Sequence, residues 1–149
     1  MDIFSLIKKD HQEVASLFKQ LRDAQGSRET CEQVFAQLKE ALELHAHAEE
    51  QVFYAALQEA DVMQGMVEEA LDDHQLVAEL LAELASTSKN STAWHRKLQI
   101  LEENVQDHVE VEESDIFDDA HQLLSAEDAA ELAERWQIVK QEQLARHAK

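Results

Sequence analysis

Proline is absent and glycine occurs only at Gly26 and Gly65, so over 149 residues almost nothing in the backbone obstructs long helices. A single cysteine, Cys31, excludes an intramolecular disulfide and agrees with a reducing compartment. Basic residues are scarce: 13 Lys and Arg stand against 32 Asp and Glu, a formal charge of −19. Such a surface repels nucleic acid and anionic membranes and attracts cations diffusely, which argues against both as partners. No apolar run is long enough to span a bilayer, and the N-terminal MDIFSLIKKDHQ lacks a long apolar core with a cleavage pattern. A soluble, cytoplasmic location is expected.

What the chain does have is helical periodicity. Apolar residues recur at intervals of three and four, and they predict helices over about 2–23, 28–58, 62–85, 92–122 and 126–146. Ala24–Ser27 and the turn near Asp61 separate the first three. Ser86–Ser91 is the most polar and least periodic stretch and reads as a flexible loop. Ser125, with Asp128 three residues on, reads as the N-cap of the last helix, a short one without a ligand pair, suited to packing or to an oligomer contact. Short connections within the first and second helix pairs favour antiparallel neighbours. The expected fold is all-α: one domain over 1–149, an up-down antiparallel four-helix bundle with an additional short C-terminal helix.

Six potential metal ligands lie on the apolar stripes of the four long helices: His11, His45 with Glu49, His74, and His108 with Glu112. Residues i and i+4 are stacked neighbours on one helical face, so each HxxxE pair presents an imidazole and a carboxylate together. Two such pairs are weak evidence by count, but their position strengthens it. Buried carboxylates need partners, and no Lys or Arg lies next to Glu49 or Glu112 on these stripes. A pair of metal ions would resolve that electrostatic problem. Mixed imidazole and carboxylate ligation suits Fe and Mn and, less specifically, Zn. Four imidazoles and two bridging carboxylates give about eight bonds where two octahedral ions want about twelve, leaving room for water, an oxo or hydroxo bridge, another side chain or an exogenous ligand.

The remaining histidines fit other roles. His47 is two positions from His45 and points off that face, while His95, His121 and His147 lie near helix ends or in the tail. Tyr54 can hydrogen-bond near the centre or simply pack. Glu50, Glu110 and Glu113 read as part of the acidic exterior. The ferritin pattern fails, because no histidine has a glutamate three residues before it.

Lys9-Asp10-His11, the stretch His45–Tyr54, Leu71-Asp72-Asp73-His74, and His108–Glu113 followed by Ile116-Phe117 together resemble the hemerythrin-like, or HHE cation-binding, domain family over roughly residues 1–140. The resemblance implies a four-helix bundle with a non-haem di-iron centre, bridged by Glu49 and Glu112 and held by His11, His45, His74 and His108. Manganese or zinc could substitute, and dioxygen or another small molecule would be the partner of a monomer or homodimer. Oxygen-carrying hemerythrins have a further histidine where Ala70 stands here, and an aspartate spaced five from its histidine where Glu112 is spaced four from His108. The coordination position left by Ala70 could be filled by Glu69, Asp73, Glu50, a more distant histidine or water. The chain also lacks the cysteine-bearing N-terminal domain of proteins resembling iron-centre repair factors. Two alternatives to sensing or buffering of oxygen, iron or redox state are a ferroxidase or peroxide- or nitric-oxide-handling enzyme on the same ligands, and a metal-free helical bundle whose histidines only pack.

Overall fold

The structure, a computed structural model, describes residues 1–147. Five long helical segments account for nearly all of it: α1 (Ile3–Asp23), α2 (Arg28–Ala48), α3 (Gln64–Ala85), α4 (Thr92–Val111) and α5 (Ala126–His147). No strand occurs among the described residues. Side chains start the helices where the sequence supplies short polar residues. Asp2 accepts from the Ser5 amide at 2.9 Å, Ser27 from Thr30 at 3.2 Å and Ser91 from Trp94 at 3.1 Å. Ser125 and Asp128 cap α5 reciprocally, each accepting the other's backbone N–H at 3.0 Å, so the expected cap is a working capping box.

The C-terminal helix, α5, runs over Ala126–His147, within a residue of the expected 126–146 and as long as α3. Its apolar stripe of Ala129, Leu132, Ala133 and Trp136 is buried against α1 and the α2 segment, which is why it extends so far. The polar stretch after α3 is tied down rather than loose. Ser86 and Thr87 hydroxyls donate to the Glu83 carbonyl at 3.0 and 2.7 Å, and Lys89 donates to the Ala85 carbonyl at 2.9 Å. These bonds satisfy carbonyls that the helix end leaves open.

α2 and α4 do not end at Ala48 and Val111. Each passes into a π-helical turn, Glu49–Tyr54 and Glu112–Ile116, and then back to α-helix over Ala55–Leu57 and Phe117–Leu123. A π turn inserts residues without breaking the helix and shifts the phase of everything after it. Consecutive Val52, Phe53 and Tyr54 are therefore all buried, which no regular 3.6-residue period allows.

The apolar core forms two clusters. One gathers Ile3, Ile7, Val52, Phe53, Val67, Phe117 and Trp136, the other Val14, Phe18, Leu38, Leu81, Trp94 and Leu101. Between them, at mid-height, lie the four candidate histidines, so a polar layer is sealed by an apolar plug at each end. Phe53, 0% exposed, anchors the first plug through edge-to-face contacts with Phe4 and Phe117, both at 5.9 Å. Phe53→Ala should destabilise the protein by roughly 3–5 kcal/mol, read as a lower denaturant midpoint, since the cavity adds to the lost transfer energy.

Candidate metal centre

The helices bring the six predicted ligands together. His11, His45, Glu49 and Glu112 form one group of atoms within 4.8 Å of one another, and Glu49, His74 and His108 form a second, so Glu49 belongs to both. His11 Nε2 lies 3.1 Å from Glu112 Oε1, His74 Nε2 3.0 Å from Glu49 Oε1, and His45 Nε2 3.4 Å from Glu49 Oε2. His108 Nε2 is 3.9 Å from Glu49 and 3.7 Å from Glu112. Both glutamates are 0% exposed, and among the described residues no Lys or Arg pairs with either.

The two nitrogens of each histidine have opposite surroundings. Every Nδ1 donates outward to a carboxylate: His11 to Glu113 at 2.6 Å, His45 to Asp10 at 2.8 Å, His74 to Glu50 at 2.7 Å and His108 to Asp73 at 3.0 Å. An Nδ1–H held this way leaves Nε2 with a free lone pair, the tautomer a metal needs, and fixes the ring plane. Inside the cluster, His11 Nε2, His45 Nε2, both oxygens of Glu49 and Oε1 of Glu112 are buried without a hydrogen-bond partner. Unpaired buried polar atoms are costly, and five converging on one space fit a pair of metal ions. The donor set, imidazole nitrogen and carboxylate oxygen, suits Fe, Mn or Zn.

Glu50 and Glu113, read from sequence as exterior, thus hold His74 and His11. Asp73 and Glu50, weighed as substitutes for the ligand missing at Ala70, bind the outer nitrogens instead. Ala70 itself is a packed core residue, 2% exposed. On that side the phenol of Tyr54 lies against His74, ring centroids 5.5 Å apart; its hydroxyl donates to Glu112 and is 3.3 Å from His108 Nε2. His47 is absent from both ligand groups. His121 stacks on Phe4 at 3.8 Å and His95 bonds Asn90 at 2.8 Å, so neither is merely solvated.

Sequence reasoning missed Asp10 as the partner of His45, and the signal that would have found it is an internal repeat. Asp10-His11-Gln12 recurs as Asp73-His74-Gln75, and Val14, Ala15, Leu17 and Leu21 recur at Val77, Ala78, Leu80 and Leu84. Each is 63 positions after its counterpart, as are His108, Glu112 and Glu113 after His45, Glu49 and Glu50. The site is therefore two like halves, and α5 breaks their symmetry. Lys140 binds Asp10 at 2.6 Å and Trp136 meets the edge of His45 at 5.4 Å, whereas Asp73, the counterpart of Asp10, is half exposed.

The electrostatics follow from burial and neighbours. Burial alone would make His45 less basic, but the charge of Glu49 and the bond to Asp10 outweigh it and push its pKa up to about 10. His74, where burial is opposed by Glu49 and Glu50, is pushed up to about 9. Burial would raise Glu49, yet His45 and the surrounding imidazoles hold it well below the usual carboxylate range. Glu112 is raised, by burial and by the negative charge of Glu49. In the metal-free protein these two histidines, raised above their unfolded values, stabilise the fold fully below pH about 6.5, and that contribution disappears as pH rises through about 9 to 10. A metal must displace their protons. Calorimetry at pH 7 in buffers of different ionisation enthalpy should therefore show release of roughly two protons on loading, with affinity increasing toward alkaline pH.

A helical bundle carrying two histidine–glutamate halves around a shared buried cluster defines the class: a helical protein whose His/Glu cluster could coordinate a pair of metal ions. The model of the hemerythrin HHE cation-binding domain matches residues 2–120, and the chain belongs to that family. A crystal structure of a hemerythrin HHE cation-binding domain-containing protein from Mycobacterium kansasii superposes with a TM-score of 0.82, covering 98% of this chain and 91% of that one at 19% identity, which supports the fold. The chain is also 28% identical over 140 residues to a Nostoc protein named DNA nickase, covering 94% of this chain but only 39% of that protein's length. The family match ends before α5, so Lys140 and Trp136 reach the site from beyond it.

Proposed function

We propose that this chain is a non-haem di-iron protein that binds dioxygen or a related small molecule and serves oxygen, iron or redox sensing or buffering. The observation that carries this reading is a cavity of about 40 Å³ bounded by all four histidines together with Val14, Leu42, Val77 and Val105. One water needs about 10–15 Å³ of such space, so the cavity suits a molecule of a few atoms and no large substrate. Its walls away from the imidazoles are aliphatic, which favours an uncharged guest. Iron, when bound, would supply electrons and open coordination to that guest.

The chain's own residues would do the rest. The four Nε2 atoms and the carboxylates of Glu49 and Glu112 would hold the two ions. Glu113, Asp10, Glu50 and Asp73 fix the imidazoles, and the aliphatic walls exclude water. Tyr54 stays a hydrogen-bond donor at any ordinary pH, because burial and the charges of Glu49 and Glu112 push its phenol well above its usual value. Among the described residues no helix is long and apolar enough to cross a membrane. The net charge of −19 opposes nucleic-acid binding, so nicking is not carried over from the longer relative.

Anaerobic ferrous loading tests the proposal. Two irons per chain and an oxygen-dependent absorption band in the near-ultraviolet and visible are expected, and no iron uptake would contradict it. A second reading, a ferroxidase or a peroxide- or nitric-oxide-handling enzyme, is favoured by the Tyr54 hydroxyl, a proton donor touching Glu112. Repeated Fe(II) oxidation beyond the bound irons would select it, and a single stoichiometric event would select binding.

A further inference from the structure

The cavity among the histidines does not reach solvent by equivalent paths on its two sides. Leu42, Ala46, His74 and Val77 line it, and the same four side chains line an apolar groove of about 260 Å³ on the surface between α2 and α3. Those side chains form a wall common to the two spaces. An ion pair at the groove, Lys39 to Glu43 at 2.6 Å, runs along α2 and does not tie α2 to α3.

The internal repeat supplies a built-in comparison, because the counterparts of these residues face the seam between α1 and α4. There Val109 stands in place of Ala46, and buried Phe18 in place of Leu81. Arg22 of α1 also pairs with Glu102 of α4, the counterpart of Lys39, so this seam is stitched across. The groove beside His108 mixes the carboxylates of Glu69, Asp72 and Asp73 with Met66, Val111 and Ile116, and its three charges make it the poorer path for an apolar molecule.

Resting on the small-ligand reading above, we infer that the α2–α3 seam is the entry route for a small uncharged molecule, a diatomic such as dioxygen or nitric oxide, and that Ala46 sets its width. A diatomic loses little on leaving water for an aliphatic passage, whereas a charged ligand pays for desolvation. Opening requires only rotamer changes of Leu42 and Val77, which are fast, while Ala46 has no side-chain rotamer and leaves a fixed gap. The chain thereby selects by polarity and by size before anything meets the metals.

Two readouts test this. In the metal-free protein, dissolved dioxygen should broaden the methyl NMR signals of Leu42, Val77 and Val105 in the wild type, and Ala46→Leu should remove most of that broadening. In the ferrous-loaded protein, stopped-flow association of nitric oxide should slow about tenfold in Ala46→Leu, equivalent to ~1.4 kcal/mol added to the entry barrier. Ala46→Val alone, the residue the repeat already tolerates at Val109, should slow it less, and Val109→Ala added to Ala46→Val should not restore the rate, because Phe18 and the Arg22–Glu102 pair still close the opposite seam. Broadening that persists in Ala46→Leu, or association rates unchanged in both Ala46 variants, would overturn the route. Failure of the loaded wild type to bind nitric oxide or dioxygen, with methyl broadening still lost in Ala46→Leu, would overturn the proposed function and leave the route standing.

Discussion

Glu49→Ala should empty both metal positions, not one. Its two oxygens face His45 at 3.4 Å and His74 at 3.0 Å, on opposite sides of the centre, so its carboxylate is the group the two halves share. Glu112→Ala should act likewise through His11 at 3.1 Å and His108 at 3.7 Å. Loss of a supporting residue around a metal ligand alone typically costs about 10–100-fold in affinity, and loss of a bridging ligand should cost more at each ion. Metal analysis after anaerobic loading should then find well under one iron per chain in either variant. His74→Ala, which touches one half only, should first reduce the content to about one. Retention of both ions in Glu49→Ala would remove it from the bridging position.

Metal loading should raise the melting temperature of the wild type by a large margin and leave Glu49→Gln almost unchanged. An ion that binds only the folded chain stabilises it by RT ln(1 + [L]/Kd), ~4 kcal/mol at a thousandfold excess over Kd. For a domain near 150 residues that corresponds to a shift on the order of 10 °C. Before loading, the two buried carboxylates face only the imidazoles around them, His11 at 3.1 Å and His74 at 3.0 Å among these. Equal melting temperatures with and without iron, in both wild type and Glu49→Gln, would instead favour a bundle whose histidines only pack.

The helices and the six inward residues were legible because one period governs both: a ligand that must face the core occupies the same stripe as Leu or Val. Hence His45 and Glu49 could be placed from spacing alone. The π turns were not legible. Glu49–Tyr54 and Glu112–Ile116 read as ordinary helix, since the composition of a π turn carries no mark of its own. The outer carboxylates were misread for a related reason. Glu50 and Glu113 each follow a ligand by one position, and a strict helical stripe sends such a neighbour to solvent. The π turn instead leaves them 38% and 33% exposed, angled toward His74 and His11. Asp10 was hidden by a tertiary fact, since its partners His45 and Lys140 lie 35 and 130 residues away. The extent of α5 was legible from its apolar period, but its packing against α1 and α2 became visible only in three dimensions.

Anomalous scattering at the iron edge, from crystals of the ferrous-loaded protein, decides whether two metal ions sit between the halves of the duplicated bundle. Two peaks are expected inside the cluster, one bound by Nε2 of His11 and His45, the other by Nε2 of His74 and His108, with Glu49 and Glu112 reaching both. The Nδ1 atoms should remain on their carboxylates. No peak within the cluster, a single one, or ligation through Nδ1 would contradict this arrangement.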